Sequence, residues 1–385
     1  MTQVIFTERC DYMKVIAAID SFKGSMTSME AGNAVKKGIL AAKPDAEVVV
    51  NPLADGGEGT VDALIEGLGA KKIPVTVTGP LGEKVSCYYG FLEETKSAVM
   101  EMASAAGITL VTKKDPLRAS TYGVGEMIAD ALKRGCKNFI IGIGGSATND
   151  GGIGMLKALG FEFFDEDGND VGEGAAALAK IEVIQTENKN PLLSGAKFQI
   201  ACDVKNPLCG KQGATYIFGP QKGVTEEQKS KVDEAMKHYA DVTKESLGCD
   251  FADCEGAGAA GGLGYAFLSY LAGELIPGVE LILQATGLEE KMKNADVVVT
   301  GEGRLDAQTV MGKAPVGVAA LEKKYNAKVI AFAGSVAPEA SVCNQAGIDA
   351  FFPIVRGVTT LEEAMKKENA MENIAATAEQ VFRLL

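Results

Sequence analysis

Apolar residues in this chain gather in short blocks separated by glycine turns, and their period changes twice. Lys14–Ile19 reads as a buried strand, with Val15–Ile19 a continuous apolar run as expected of a strand covered on both faces. Ser28–Lys43 has helical spacing and stops at Pro44. Glu47–Asn51 reads as a second strand, and Thr60–Gly67 opens a second helix. This β-α-β-α start predicts a parallel sheet with right-handed crossovers. The blocks then shorten. Lys72–Thr78, Lys84–Leu92 and Ser97–Met102 alternate or run apolar, with Gly79-Pro80-Leu81-Gly82 between the first two, and antiparallel hairpins are expected. Tyr122–Arg134 and Gly152–Leu159 read as helices, and Asn138–Ile143, Phe161–Asp165 and Lys197–Ala201 as strands. Thr225–Leu247 is a long exposed helix whose Thr225-Glu-Glu-Gln start resembles a cap. Gly256–Gly264 opens another helix through Tyr270. Strict alternation returns with strands Ala295–Thr300, Ala327–Ala333 and Ala350–Pro353 and helices Pro315–Tyr325, Pro338–Ala346 and Leu361–Leu385.

The simplest α/β assembly joins both chain ends, 13–77 and 286–385, in one parallel-sheet domain. Residues 78–285 then form an inserted second domain. Residues 1–12 carry Glu8, Arg9 and Asp11 and no apolar core, so they are expected to lie outside the fold. They resemble neither a signal peptide nor a membrane segment. No later stretch approaches the ~20 apolar residues of a membrane span. A cytoplasmic protein is expected.

Composition narrows the function. The 385 residues include 51 acidic and 38 basic side chains, a net charge of −13, which disfavours a nucleic-acid surface. A small anionic substrate is still allowed, because a few local cations suffice. The eight cysteines form no CxxC pair, so they read as reduced buried thiols rather than zinc ligands. His238 is the single histidine and sits mid-helix, which argues against a Ser–His–Asp triad. Any general base should then be Asp, Glu or Lys. Neither the GxxxxGK[ST] loop nor the protein-kinase signature set occurs.

Four apolar runs end in loops that mix glycine with carboxylates. Strand, glycine turn and helix together are where parallel α/β proteins place ligands. Glycine lets backbone N–H groups approach a phosphate, and the helix that follows favours negative charge. The first loop holds Asp20, Ser21 and Lys23, with Lys23 a candidate anion binder. The second holds Asp55, a candidate base, and Glu58, a magnesium or hydroxyl partner. The third offers Ser146, Thr148, Asn149 and Asp150 as a phosphate cradle, against the alternative of a tight strand–helix turn. The fourth follows Val297–Thr300 with Glu302, Arg304 and Asp306, where a structural ion pair competes with function. Asp203 at another strand end and Lys222 in a glycine-flanked turn are weaker candidates. Met311-Gly312-Lys313-Ala314 lacks the hydroxyl of a phosphate loop.

Seven segments in order resemble the class I glycerate kinase family. They are IAAIDSFKGSMTS (16–28), NPLADGGEGT (51–60), GIGGSATNDGGIGMLKALG (142–160), CDVKNPLCG (202–210), IFGPQKG (217–223), GAGAAGGLGYAF (256–267) and TGEGRLDAQTVMGKAP (300–315). The resemblance runs from Met13 to the C-terminus. It implies a Rossmann-like domain built from both chain ends and an inserted α/β domain with a mixed sheet. It also implies ATP-dependent phosphorylation of D-glycerate, with the 2-phosphate favoured. On that reading Lys23 and Arg304 carry charge for carboxylate or phosphate. Asp203 or Asp55 orients the hydroxyl. Glu302 and Asp306 hold Mg2+. Asp20, Ser21, Glu58, Ser146, Thr148, Asn149, Asp150, Lys222 and Lys313 are expected to contact substrate or nucleotide. ATP and Mg2+ are the expected cofactors and a small hydroxy acid the expected partner. A homodimer is allowed, and neither nucleic acid nor membrane is expected. The competing functions are a kinase for another small hydroxy acid and a non-enzymatic two-lobe carboxylate sensor.

Overall fold

The computed structural model describes residues 12–54 and 59–385. The expected N-terminal extension, apart from Tyr12, and the candidate residues Asp55 and Glu58 lie outside them. The chain divides into a terminal unit, Met1–Asp55 with Leu283–Leu385, and an inserted unit, Gly56–Ile282. In chain order the strands are β1 (Lys14–Ile19), β2 (Glu47–Pro52), β3 (Lys71–Thr78), β4 (Lys84–Leu92), β5 (Ser97–Glu101), β6 (Asn138–Gly142), β7 (Glu162–Phe164), β8 (Val183–Gln185), β9 (Lys197–Ala201), β10 (Glu274–Ile276), β11 (Val297–Leu305), β12 (Lys328–Val336) and β13 (Ala350–Pro353).

The terminal unit holds a five-stranded sheet, β13-β12-β11-β1-β2, and every pairing in it is parallel. Its central strands are buried along almost their whole length, which is why Val15–Ile19 of β1 and Val297–Val299 of β11 read as unbroken apolar runs. Helix Ser28–Ala42 starts on a reciprocal cap: Glu30 N donates to Thr27 Oγ1 at 3.2 Å, and Thr27 N donates to Glu30 Oε2 at 3.0 Å. The helix packs on Lys367–Phe382, closely enough that a Cβ at Gly38 would stand 2.0 Å from the Ala375 carbonyl. A larger residue there would force the two helices apart.

The inserted unit holds a mixed sheet, β10-β9-β6-β5-β4-β3. β5, β6, β9 and β10 pair in parallel, and β3, β4 and β5 form the antiparallel hairpins expected from the sequence. The division falls after Asp55 and not near residue 78. β3 pairs with β4 along its length, and helix Thr60–Leu68 packs on β4 and β5, so this stretch belongs to the inserted unit. The core of that unit is aromatic-rich, with Tyr239 set edge-on to Tyr265 at 5.5 Å and Phe139 stacked on Phe198 at 4.8 Å. The long helix runs Glu226–Leu247, with Gln228 Oε1 accepting from Thr225 N at 3.0 Å.

Near the C-terminus the single expected helix is two, Leu361–Met365 and Lys367–Phe382, interrupted at Lys366, whose extended backbone breaks the helical run. The described cysteines are free thiols. Among the described residues no helix is long and apolar enough to cross a membrane.

Candidate active site

In the terminal unit the first and fourth glycine loops leave neighbouring strands at the carboxyl edge of the sheet. β1 and β11 pair directly, and Asp20 N donates to Gly301 O at 2.9 Å just past the end of β1. Ser28 fastens the base of the loop. Its Oγ donates to Ile19 O at 2.7 Å and accepts from Leu53 N at 2.9 Å. Phe22 and Met26 exchange backbone hydrogen bonds, so 22–26 is a closed turn with Lys23 exposed at its tip. Asp20 is buried and its Oδ1 accepts from Ser21 N at 2.6 Å, which orients the carboxylate toward its own loop.

The fourth loop carries a charged cluster. Glu302 is only 7% exposed. Its Oε1 accepts from Thr309 Oγ1 at 2.7 Å, and its Oε2 lies 3.6 Å from Lys313 Nζ. Asp306 Oδ1 accepts from Gln308 N at 2.9 Å and lies 3.9 Å from Lys313 Nζ. Asp306 Oδ2 stands 3.5 Å from Arg304 Nε, and the Arg304 side chain is 65% exposed. Burial pushes the Glu302 carboxyl above its usual range and Asp306 adds to the rise, while Thr309 and Lys313 oppose it. Two carboxylates share one lysine here, with an exposed arginine head at the rim. Thr309 is the residue that sequence reading missed. The Asp306-x-x-Thr309 spacing was the available signal, because a hydroxyl three residues on can bond back to the turn.

The third loop folds differently from expectation. The sequence predicts Lys222 in a glycine-flanked turn. It is instead the last residue of helix Ala214–Lys222 and is 2% exposed. Its Nζ donates to Ser146 Oγ at 2.7 Å and to the Thr148 carbonyl at 2.6 Å. Burial lowers its pKa to about 7, against the pull of Asp150. Asp150 is fully buried, and burial raises its carboxyl. Its Oδ2 accepts from Thr121 N and Thr121 Oγ1, both at 2.8 Å, and its Oδ1 accepts from Gly152 N at 3.1 Å. Asn149 Nδ2 donates to Thr215 Oγ1 at 3.0 Å. Ser146, Thr148, Asn149 and Asp150 are therefore buried: Ser146 and Asp150 brace the loop through hydrogen bonds, while among the described residues Thr148 Oγ1 and Asn149 Oδ1 find no hydrogen-bond partner. Gly144 and Gly145 are the loop's exposed part. Asp203 is exposed after β9, and its Oδ1 accepts from Gly278 N at 2.8 Å, at the start of helix Gly278–Ala285. His238 is also tied down, with Nε2 2.8 Å from the Ile181 carbonyl.

The terminal unit thus sets two glycine loops on adjacent parallel strands, and the inserted unit holds a third braced by a buried lysine. The sequence profile of the glycerate kinase family matches residues 15–385. The chain belongs to the glycerate kinase family. Glycerate kinase of Bacillus subtilis (strain 168) is 45% identical, with 96% of this chain and 97% of the relative aligned. Glycerate 2-kinase of Escherichia coli (strain K12) is also 45% identical, over 95% and 98%. A crystal structure of a proposed glycerate kinase 2 from Salmonella typhimurium LT2 superposes with a TM-score of 0.89 at 43% identity, covering 97% of this chain and 98% of its own. Among the described residues of this glycerate kinase family member, no group of three or more His, Cys, Asp or Glu side chains is placed to hold a metal ion. The Glu302–Asp306 pair fits the smaller demand of Mg2+ on a nucleotide, which takes one or two carboxylates and fills its remaining positions with phosphate oxygens and water.

Proposed function

We propose that this protein transfers the γ-phosphoryl group of ATP to a hydroxyl of D-glycerate. The substrate oxygen forms the new bond to phosphorus, the bond to the bridging oxygen of ADP breaks, and the hydroxyl proton passes to a carboxylate. Phosphoryl transfer asks little covalent chemistry of a protein, which mainly positions the partners and neutralises charge. The observation that carries the reading is the Glu302–Asp306–Lys313 cluster at the carboxyl edge of a parallel sheet, in a chain 45% identical to named glycerate kinases. In our reading Lys23, Arg304 and Lys313 meet phosphate or carboxylate charge. Glu302 and Asp306 would hold Mg2+, which supplies electrostatic stabilisation of the phosphates. For the group that orients the hydroxyl two carboxylates remain, Asp203 and Asp55, and their separate Asn variants decide between them. The 2-phosphate is the favoured product, in line with the name of the Escherichia coli relative. A cytoplasmic location follows from the nucleotide substrate, and a two-fold dimer is the simplest assembly to look for.

The test is ADP release from Mg-ATP and millimolar D-glycerate, with phosphorus NMR assigning the phosphorylated hydroxyl. Turnover abolished by EDTA is expected. ADP release no faster than in the absence of D-glycerate would refute the reading.

A further inference from the structure

A cavity of about 300 Å³ opens at the carboxyl edge of the terminal sheet. Phe22, Lys23 and Ser25 of the first loop line one side, Gly303 and Gly334 of β11 and β12 the floor, and residues 354–373 the other side. Its apolar walls include Val355, Leu361 and Met365. All three are exposed, as is Val358 beside them, so four large apolar side chains within eleven residues face solvent. Core packing does not explain such a patch, and clustered exposed apolar surface on a folded domain marks a binding site. The loop and the patch touch: a Cβ at Gly24, whose φ is +78°, would stand 3.0 Å from Met365 Cε. The place in the fold is also specific. β1 leads outward to β2, while β11 leads the opposite way to β12 and β13, so the strand order reverses between β1 and β11. Open parallel sheets bind their ligands at that reversal, outside the carboxyl ends.

From this geometry we propose that the cavity seats the nucleoside part of the ATP used in the reaction above, on which this inference rests. D-Glycerate is small and polar throughout and gains nothing from apolar walls. A purine ring has two apolar faces and a polar edge, and pockets of about 300–1,000 Å³ with mostly apolar linings and a few polar groups suit such ligands. Ser25, Ser335, Thr359, Thr360 and Asn373 supply uncharged polar groups beside Lys23, and the Ser25 hydroxyl is buried with no hydrogen-bond partner among the described residues. The volume accommodates a nucleoside and leaves the phosphates outside, alongside the Lys23–Gly24 turn. That assigns Lys23 to the nucleotide phosphates rather than to the substrate carboxylate.

The experiment is a fluorescence titration of the full chain with mant-ADP, adenosine as competitor, and two variants. Ala364→Trp fills the cavity, and Leu361→Glu places a charge at its exposed rim. Each should weaken mant-ADP binding at least tenfold and raise the KM for ATP by a similar factor. The KM for D-glycerate should stay within twofold, and Tm should be unchanged in Leu361→Glu. Adenosine should displace the probe from the wild type. The control Leu384→Glu, an exposed apolar site elsewhere in the same unit, should bind mant-ADP normally. Normal nucleotide affinity in both cavity variants, with wild-type turnover present, overturns the site and leaves the kinase reading standing. A changed oligomeric mass in Leu361→Glu with normal nucleotide affinity would assign the patch to a second copy and also overturn it. A wild type that neither turns over nor binds the probe defeats both readings.

Discussion

Replacing Lys222 by methionine tests whether a buried ammonium braces the third loop. The lysine is 2% exposed, and burial brings its pKa from the ordinary 10.5 to about 7. The folded value lies below the unfolded one, so between pH 7 and about 10.5 the unfolded chain binds more protons than the folded chain. Stability therefore rises with pH across that window, and the cost of the buried charge is fully present only below pH 7. At about 1.4 kcal/mol per pH unit the whole difference is on the order of 5 kcal/mol, of which roughly 2 kcal/mol is recovered between pH 7 and 9. The methionine variant lacks this term. It also leaves Ser146 Oγ and the Thr148 carbonyl without their donor, at a pH-independent cost of about 1–3 kcal/mol each. The pH-dependent part is isolated by measuring Tm for both proteins at pH 7 and pH 9 in one buffer series. The gap, wild type minus variant, should widen by about 4–8 °C from pH 7 to pH 9, at roughly 2–4 °C per kcal/mol for a unit of this size. Parallel curves, or a gap that narrows, would show that the ammonium is not buried in the folded protein.

The remaining expectations concern turnover. Lys23→Ala and Arg304→Ala should each lower kcat/KM by about a hundredfold or more, the scale of one lost charge-stabilising contact, with Tm almost unchanged because both side chains are exposed. Near-normal turnover in both refutes their roles, and a large fall in Tm for Arg304→Ala would assign it to the ion pair with Asp306 instead. Glu302→Gln should raise the half-saturating magnesium concentration at least tenfold; an unchanged magnesium curve removes Glu302 from the metal site. His238→Ala should leave kcat/KM within about threefold, since the ring is held at Ile181 and touches no other candidate residue.

The loops could be found by reading the chain because their signals are local. An apolar run, a glycine and a carboxylate in sequence place a charged turn at a strand end whatever else the chain does, and this located Asp20, Lys23, Glu302, Arg304 and Asp306 at the edge of one parallel sheet. The joining of both chain ends was legible for a similar reason: Val15–Ile19 of β1 and Val297–Val299 of β11 are apolar on both faces, as a central position in a covered parallel sheet requires. Side-chain direction was not legible. Ser146, Thr148, Asn149 and Asp150 are polar residues in a glycine loop, a pattern equally suited to facing a ligand or to anchoring a turn. Only tertiary structure shows that Ser146 and Asp150 are anchored, because helix Ala214–Lys222 delivers a lysine from more than seventy residues away and Thr121 supplies donors for Asp150. The unit boundary was decided at the same level. Lys71–Thr78 alternates as any half-buried strand does, and its sheet was settled by which partner completed its hydrogen bonds, β4 in the inserted unit. Local pattern thus determined where strands end and charge gathers. Long-range packing determined which of those charges face water and which hold the fold, because burial is a property of the neighbours that cover a residue and not of the residue itself.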